Sequence, residues 1–517
     1  GWVYQFWQSK KKEQVNRSGA KIGADELPAV TQLFTEPYMV KFLLHNTLGA
    51  WWVGRHPGEE LPIEMEYLRF LDDGTPAAGT FDGWPKTAQE ITVLDPCCGS
   101  GHFLVAAFHI LVAFRVREEG LSPREACDAV LRDNLFGLEI DERCTQIAAF
   151  ALAFAAWTYP GAGGYRPLPE LNIACSGLAV GAKREEWLAL ANGDERLRQG
   201  MGRLYDLFKD APTLGSLIDP RRATGGDLLS AEFSELQPLL EKALEREKRK
   251  GDYAGTEIGI AAQGVAKAAQ ILAAPIDLVI TNVPYLTRLR QEQCLRDFCE
   301  TYFPRSNGDL ATVFVERFVS ALQRGGIFAG VSPQGWLYQV NYTGIRKLLL
   351  ADCSWRMLAI LGEKAFESPQ AAGAFVQLSI IERARPGEHH RIPVLNAIDE
   401  ETPAAKAAHI AEAEIAWLYQ REQYNNPDHT VVLSKDSSLD LFGDYVISLQ
   451  GISTGDNDRF TVCFWEVDNY RNHWAGFQTP PAETTLYGGR ERLVRRSLID
   501  EPPPGAAIRG REAWGLV

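Results

Sequence analysis

A short apolar run, Ile91 to Leu94, ends in Asp95-Pro96-Cys97-Cys98-Gly99-Ser100-Gly101 and passes straight into an apolar stretch, Gly101 to Val116, with few breaks. No other feature narrows the fold so far, because a strand-length run followed by a glycine turn and a helix is half of a βαβ unit. The pattern recurs. Asn134 to Ile140 ends in acidic residues before the Ala-rich Gln146 to Trp157, Ile276 to Thr281 ends at Asn282-Val283-Pro284-Tyr285, and Gly326 to Val331 ends at Ser332-Pro333. Strands separated by helices predict an α/β fold with a parallel, doubly wound sheet and a site at the C-terminal strand ends.

Composition sets the limits around that sheet. The chain has 517 residues, 45% hydrophobic and 23% charged, a globular balance. That length allows about two to four domains, each able to bury a core without disulfides or metals. A formal charge of −14 excludes coating of nucleic acid by bulk charge but leaves room for a local basic cleft. Nine cysteines, scattered apart from Cys97-Cys98 and the pair Cys294 and Cys299, lack CxxC zinc spacing. They read as reduced thiols in a cytoplasm, with no metal site. No apolar run of about 18 residues exists, and GWVYQFWQSKKK lacks a signal-peptide layout, so no membrane partner is expected. The chain opens without Met inside an aromatic, helix-like pattern and reads as a piece of something longer.

Five segments follow from the texture. Residues 1–85 read as a helical N-terminal segment closing in a Gly/Pro/Asp-rich linker, Asp72 to Pro85. Residues 86–160 and 275–435 carry the two halves of the strand–helix alternation. Residues 161–274 read as a helical insertion, with mixed-charge Glu241 to Lys250 as a solvated helix. From 436 to 517 the Gly-, Asn-, Trp- and Pro-rich sequence reads as the start of a separate domain.

The turn from Asp95 to Gly101 is neither GxGxxG nor GxxxxGK[ST], which counts against a dinucleotide or a P-loop triphosphate. Its glycines let the backbone approach a ligand, and the helix N-terminus offers free N–H groups. Asp95 beside them suits a cationic ligand such as S-adenosyl-L-methionine, which carries an ammonium and a sulfonium. Pro96, Cys97, Gly99 and Gly101 then shape the cofactor loop. Glu139, at the next strand end, can accept both ribose hydroxyls while Ile140 packs on an adenine face. Asp227, followed by Leu228, can meet the adenine amino group. His102 is expected to pack at the helix start rather than act as a base.

Asn282-Val283-Pro284-Tyr285 points to a second chemistry. An exocyclic amine on a heteroaromatic ring is a poor nucleophile, because its lone pair is delocalised into the ring. An Asn side-chain oxygen and a backbone carbonyl can accept its two N–H bonds and localise that lone pair. Tyr285 offers a stacking face for a flat base, and Pro284 stiffens the loop.

Together these residues resemble the amino-methylating DNA methyltransferases, whose motifs are DPxxGSG and (D/N/S)PP(Y/F/W). More closely the chain resembles the adenine-N6 methylases of phage defence, PglX of BREX systems and its DISARM relative, and the Type IIG restriction-modification enzymes. Thr31 to Pro37, Gly101 to Leu104, Phe136 to Asp141 and Gly451 to Asn457 extend the match, in the linear order of the gamma group. The resemblance implies a Rossmann-like S-adenosylmethionine-dependent methyltransferase sheet with a truncated C-terminal target-recognition region. It implies methyl transfer to adenine N6 in duplex DNA after base flipping, and duplex DNA and other phage-defence proteins as partners. By the same resemblance Phe34 and Thr35 close over the methionine end of the cofactor, and Val283 contributes its backbone carbonyl to the amine. Phe375, or Phe366, stacks on the flipped base. The usual Pro is replaced by Val283, which leaves the loop less rigid. Lys10 to Lys12 and Arg490, Arg492, Arg495 and Arg496 are positive clusters that can meet phosphates. Two alternatives stay open: methylation of another planar nitrogen, in rRNA adenine or protein glutamine, and a non-catalytic component that binds cofactor and DNA.

Because bulk charge cannot hold DNA and the recognition region is cut short, residues 1–517 alone are expected to bind S-adenosylmethionine but to bind duplex DNA weakly. Fluorescence anisotropy across a salt series checks this, and tight binding that persists at high salt would place the recognition surface elsewhere.

Overall fold

Near-continuous apolar strands need cover on both faces, and here two cores supply it. The computed structural model describes residues 2–223, 238–245, 253–368, 373–433, 445–446, 457–468, 473–479 and 489–497. The chain divides into two units, Gly1–Leu433 and Ser434–Val517. In the first, the strands are β1 (Val93–Asp95), β2 (Leu135–Glu139), β3 (Asn172–Cys175), β4 (Leu278–Asn282) and β5 (Ile327–Pro333), followed by β6 (Ser354–Gly362), β7 (Val376–Glu382), β8 (Arg391–Asn396) and β9 (Ala416–Tyr419). They form one sheet in the order β3-β2-β1-β4-β5-β7-β6-β8-β9. Val93, Leu278, Ile280 and Ile327 enter the core shared with the helix His102–Glu119, while Leu94, Val279 and Phe328 enter the opposite core. This is the three-layer, Rossmann-like α/β arrangement that the alternation implies.

From β3 to β5 all neighbours are parallel. β7 then runs antiparallel between β5 and β6. The chain builds outward from β1 through β2 to β3, then returns to place β4 on the other side of β1. Connections therefore leave β1 and β4 in opposite directions, and a crevice opens at their C-terminal ends. Asp95 and Asn282 are the last residues of those two strands.

Two sequence readings need correction. Residues 161–274 do not interrupt the sheet: β3 lies within them, and the helix Tyr253–Ala273 packs against β2 and β3. The four residues Asn172–Cys175, with Ile173 as their one β-branched side chain, do not register as a strand, and the Ala-rich helix presents a small-residue face suited to close packing on it. Nor is Asp72 to Pro85 a solvated linker. Phe81 and Trp84 are buried and stacked with ring centroids 5.2 Å apart, and Trp84 Nε1 donates to Gly325 O at 3.1 Å. Its glycines and aspartates make turns on the surface while its aromatics anchor it.

The second unit, taken by itself, carries a three-stranded antiparallel sheet in the order β10 (Thr461–Cys463), β12 (Arg492–Arg495), β11 (Trp474–Phe477). Among the described residues no helix is long and apolar enough to cross a membrane.

Candidate active site at the switch point of the sheet

The loop after β1 is tied down by one carboxylate. Gly99 N–H donates to Glu139 Oε2 at 2.8 Å, and Ile140 N–H (2.9 Å) and Asp141 N–H (3.1 Å) donate to Glu139 Oε1. Cys98 N–H donates to Leu138 O at 2.9 Å, so the loop is laced to β2 at two points. Gly101 caps the following helix at φ 86°, and a Cβ there would come within 3.2 Å of Ala148. Both the dihedral and the contact demand glycine. With no side-chain cap, the first N–H groups of that helix are left for a ligand.

Asp95 lies beneath this turn, 1% exposed, and accepts from Cys97 N–H at 3.1 Å. Burial pushes its pKa up to about 7; the Thr281 hydroxyl and the Cys97 N–H pull the other way, and the nearby Glu139 charge raises it further. Burial also raises the pKa of Glu139 against its three backbone donors. Two buried carboxyl groups with no cationic side chain bonded to them among the described residues make a site that gains from a positively charged ligand.

Phe34, Thr35, Asp95, Pro96, Cys97, Gly99, Glu139, Ile140, Asn282 and Pro284 all line a single cavity. Phe34 meets His102 edge-on, centroids 4.4 Å apart, and burial lowers the His102 pKa to about 4, which keeps that ring neutral. At the end of β4, Asn282 Nδ2 donates to Thr35 Oγ1 at 3.1 Å, whereas Asn282 Oδ1 is buried with no partner among the described residues. A buried carbonyl oxygen without a donor is a costly feature, and it faces the need that a bound amine would meet.

Other expected residues are placed differently. Gly101 sits at the helix start, outside the cavity wall. Val283 is 2% exposed in the core, and its N–H donates to Val331 O at 3.2 Å. A ladder bond thus holds the backbone where a proline ring would otherwise stiffen it. Tyr285 packs against the core with its hydroxyl buried and unpaired, and burial raises its pKa. Its ring is not part of the cavity wall. Phe375 is 49% exposed just before β7, and Phe366 is buried in the core. Asp227 and Leu228, and Gly451 to Asp456, lie outside the described residues. Lys11, which is exposed, donates to Asp25 O at 2.6 Å, and the half-buried Lys12 donates to Gln32 O at 3.3 Å. In the second unit, Arg492 donates to Thr461 Oγ1 at 2.8 Å and the Arg495 guanidinium stacks 5.1 Å from the Trp474 ring centroid.

Sequence reasoning missed part of the wall. Leu310 and Phe314, from the helix Leu310–Ala321, and the turn Thr213 to Leu217 complete it. Ser216 Oγ donates to Pro96 O at 2.7 Å, bracing the loop from below. The available signal was Asp309 ahead of an apolar helix: it caps Ala311 N–H at 2.9 Å and also takes Leu286 N–H at 3.3 Å.

Comparison with known proteins finds methylase relatives. The family model for the Eco57I restriction-modification methylase matches residues 133–366, and that for the MmeI DNA-methyltransferase domain matches residues 81–160. The chain is 31% identical over 401 residues to the adenine-specific methyltransferase BrxX of Escherichia coli O9:H4 (strain HS), covering 73% of this chain and 32% of that protein. It is 25% identical over 502 residues to the adenine-specific methyltransferase PglX of Lacticaseibacillus casei (strain Zhang), covering 91% and 40%. The chain belongs to the BrxX/PglX family of adenine-specific methyltransferases. It spans about a third of the length of these relatives. A solved DrdV–DNA complex aligns over 81% of this chain and 32% of that one, at 14% identity and a TM-score of 0.44. Membership of the family implies S-adenosylmethionine as methyl donor.

Asp95 gives the site a pH signature. A carboxyl whose pKa is raised on folding adds stability below its unfolded value near 4, and that stability is lost as pH rises through about 7. Asp95→Asn removes the charge that burial penalises. The unliganded variant should therefore melt a few degrees above wild type at pH 8 and no higher at pH 5; equal differences at both values would refute the assignment.

Proposed function

We propose that the protein transfers a methyl group from S-adenosylmethionine to N6 of adenine in duplex DNA, after the base is extruded from the stack. The observation that carries this reading is the buried, partnerless Asn282 Oδ1 in the wall of the cavity that also holds Asp95. The residues present fit the cofactor: buried carboxyls for its cationic groups, and Ile140, Leu310 and Phe314 as apolar walls for a flat ring. Asp95 takes the ammonium, the Gly99 to Gly101 turn and the free helix N-terminus take the methionine end, and Phe34 and Thr35 close over it. Asp227 and Leu228 remain assigned to the adenine end. When bound, S-adenosylmethionine supplies an electrophilic methyl on its sulfonium.

Asn282 Oδ1 and the Val283 carbonyl accept the two N–H bonds of the target amine. Acceptors placed there draw nitrogen lone-pair density out of the ring and orient it. No strong base is needed, because the nitrogen becomes acidic only as its fourth bond forms. The Val283 ladder bond to Val331 O supports a loop held in working geometry despite the missing proline. Tyr285 and Phe375 are the aromatic faces assigned to the extruded base, the second on the strength of its exposure. The wider role we assign is self-marking of host DNA within a phage-defence system, with other proteins of that system as partners, in line with the resemblance to BREX and DISARM methylases.

The experiment is transfer of labelled methyl from S-adenosylmethionine to duplex DNA by the full-length protein, followed by nucleoside analysis. The label should appear in N6-methyladenine, and Asn282→Ala should lower the rate about 10²–10³-fold while cofactor binding is kept. Label in cytosine, in RNA or in protein, or an undiminished Asn282→Ala rate, would overturn the proposal.

A further inference from the structure

An amide side chain offers an acceptor at one end and donors at the other, and only one of its two orientations serves an amine. With Oδ1 toward the amine the pair is acceptor to donor; with Nδ2 there, donors face donors. A partner that accepts from Nδ2 at the opposite end therefore favours the working orientation. In this structure that group is the Thr35 hydroxyl, 247 positions earlier in the chain, which accepts from Asn282 Nδ2 at 3.1 Å. Thr35 is 6% exposed, so bulk water is a poor substitute for it.

Thr35 does not float. Phe34 beside it packs on His102 at the start of the cofactor-loop helix. Also ahead of it, Lys12 Nζ donates to Gln32 O at 3.3 Å, and on its other side Glu36 Oε1 accepts Glu367 N–H at 2.9 Å. The segment that walls the cofactor side of the cavity is thus anchored before and after Thr35, and Thr35 reaches from it across to the catalytic strand end.

We propose that Thr35 is a positioning residue for Asn282: its hydroxyl takes the amide N–H, leaves Oδ1 for the target amine, and ties the orientation of the amide to the segment that walls the cofactor side of the cavity. This rests on the methyl-transfer reading above. It adds that the segment acts on the nucleophile's side of the reaction as well as on the cofactor. One segment therefore serves both the cofactor wall and the alignment of the acceptor.

Replacing Thr35 with Val keeps the shape and removes the acceptor, while Ser keeps the acceptor. The full-length protein is assayed with labelled S-adenosylmethionine on DNA from a strain lacking the gene, and cofactor affinity is measured separately by calorimetry. Thr35→Val should lower kcat about 10- to 100-fold with the S-adenosylmethionine Kd within about threefold of wild type, and Thr35→Ser should restore kcat to within about threefold. If Thr35→Val does not fold, Thr35→Ala is read in its place. An unchanged kcat in the variant, or a loss seen wholly as weaker cofactor binding, overturns the positioning role and leaves the methyl-transfer reading standing. Absence of transfer by wild type with intact cofactor binding overturns both.

Discussion

A carboxylate buried under a glycine turn must be held by donors, and Glu139 is held by three backbone N–H groups, one from the turn after β1 and two from the turn after β2. That clasp fixes the height and tilt of the Gly99 to Gly101 loop, and with it the start of the His102–Glu119 helix. Asp95 is sealed beneath the same loop. Because β1 and β4 are neighbours whose connections diverge, whatever the loop holds lies beside the end of β4, where Asn282 stands. The rest of the site follows from that adjacency.

The site is also where the fold is least at ease. Asp95 and Glu139 are carboxyl groups that burial drives toward neutrality, and among the described residues Asn282 Oδ1 has no donor and the Tyr285 hydroxyl is sealed without a partner. A core chosen for stability alone would satisfy or remove such groups. Concentrated at one crevice, they are the pattern expected of a surface whose missing partners are a cation and an amine. The Lys12, Phe34 and Thr35 contacts then fasten the N-terminal segment across the same crevice.

The strands that carry the site were legible because each is a short apolar run cut off by Asp-Pro, by acids or by Asn-Val-Pro, a break with little other meaning. β3 was not, since Asn172–Cys175 holds one β-branched residue, and neither were β6 to β9. Among the site residues, the loop and Asn282 could be read from residue type and place. The job of Glu139 could not: a carboxylate at a strand end reads as a ligand acceptor, and its hold on backbone N–H groups appears only once β1 and β2 are side by side. Leu310 and Phe314 were hidden by their ordinariness, since an apolar helix looks the same whether it faces a core or a cavity. Val283 read as a loss of rigidity, and the ladder bond that replaces the proline ring needs β5 in register to be seen.

The most direct measurement is a genome-wide map of N6-methyladenine in a strain carrying the gene, in one lacking it and in one carrying Asn282→Ala. The account predicts adenine marks at one short recurring sequence in the first strain and none of them in the other two. An identical map in all three, or marks that survive Asn282→Ala, would contradict it.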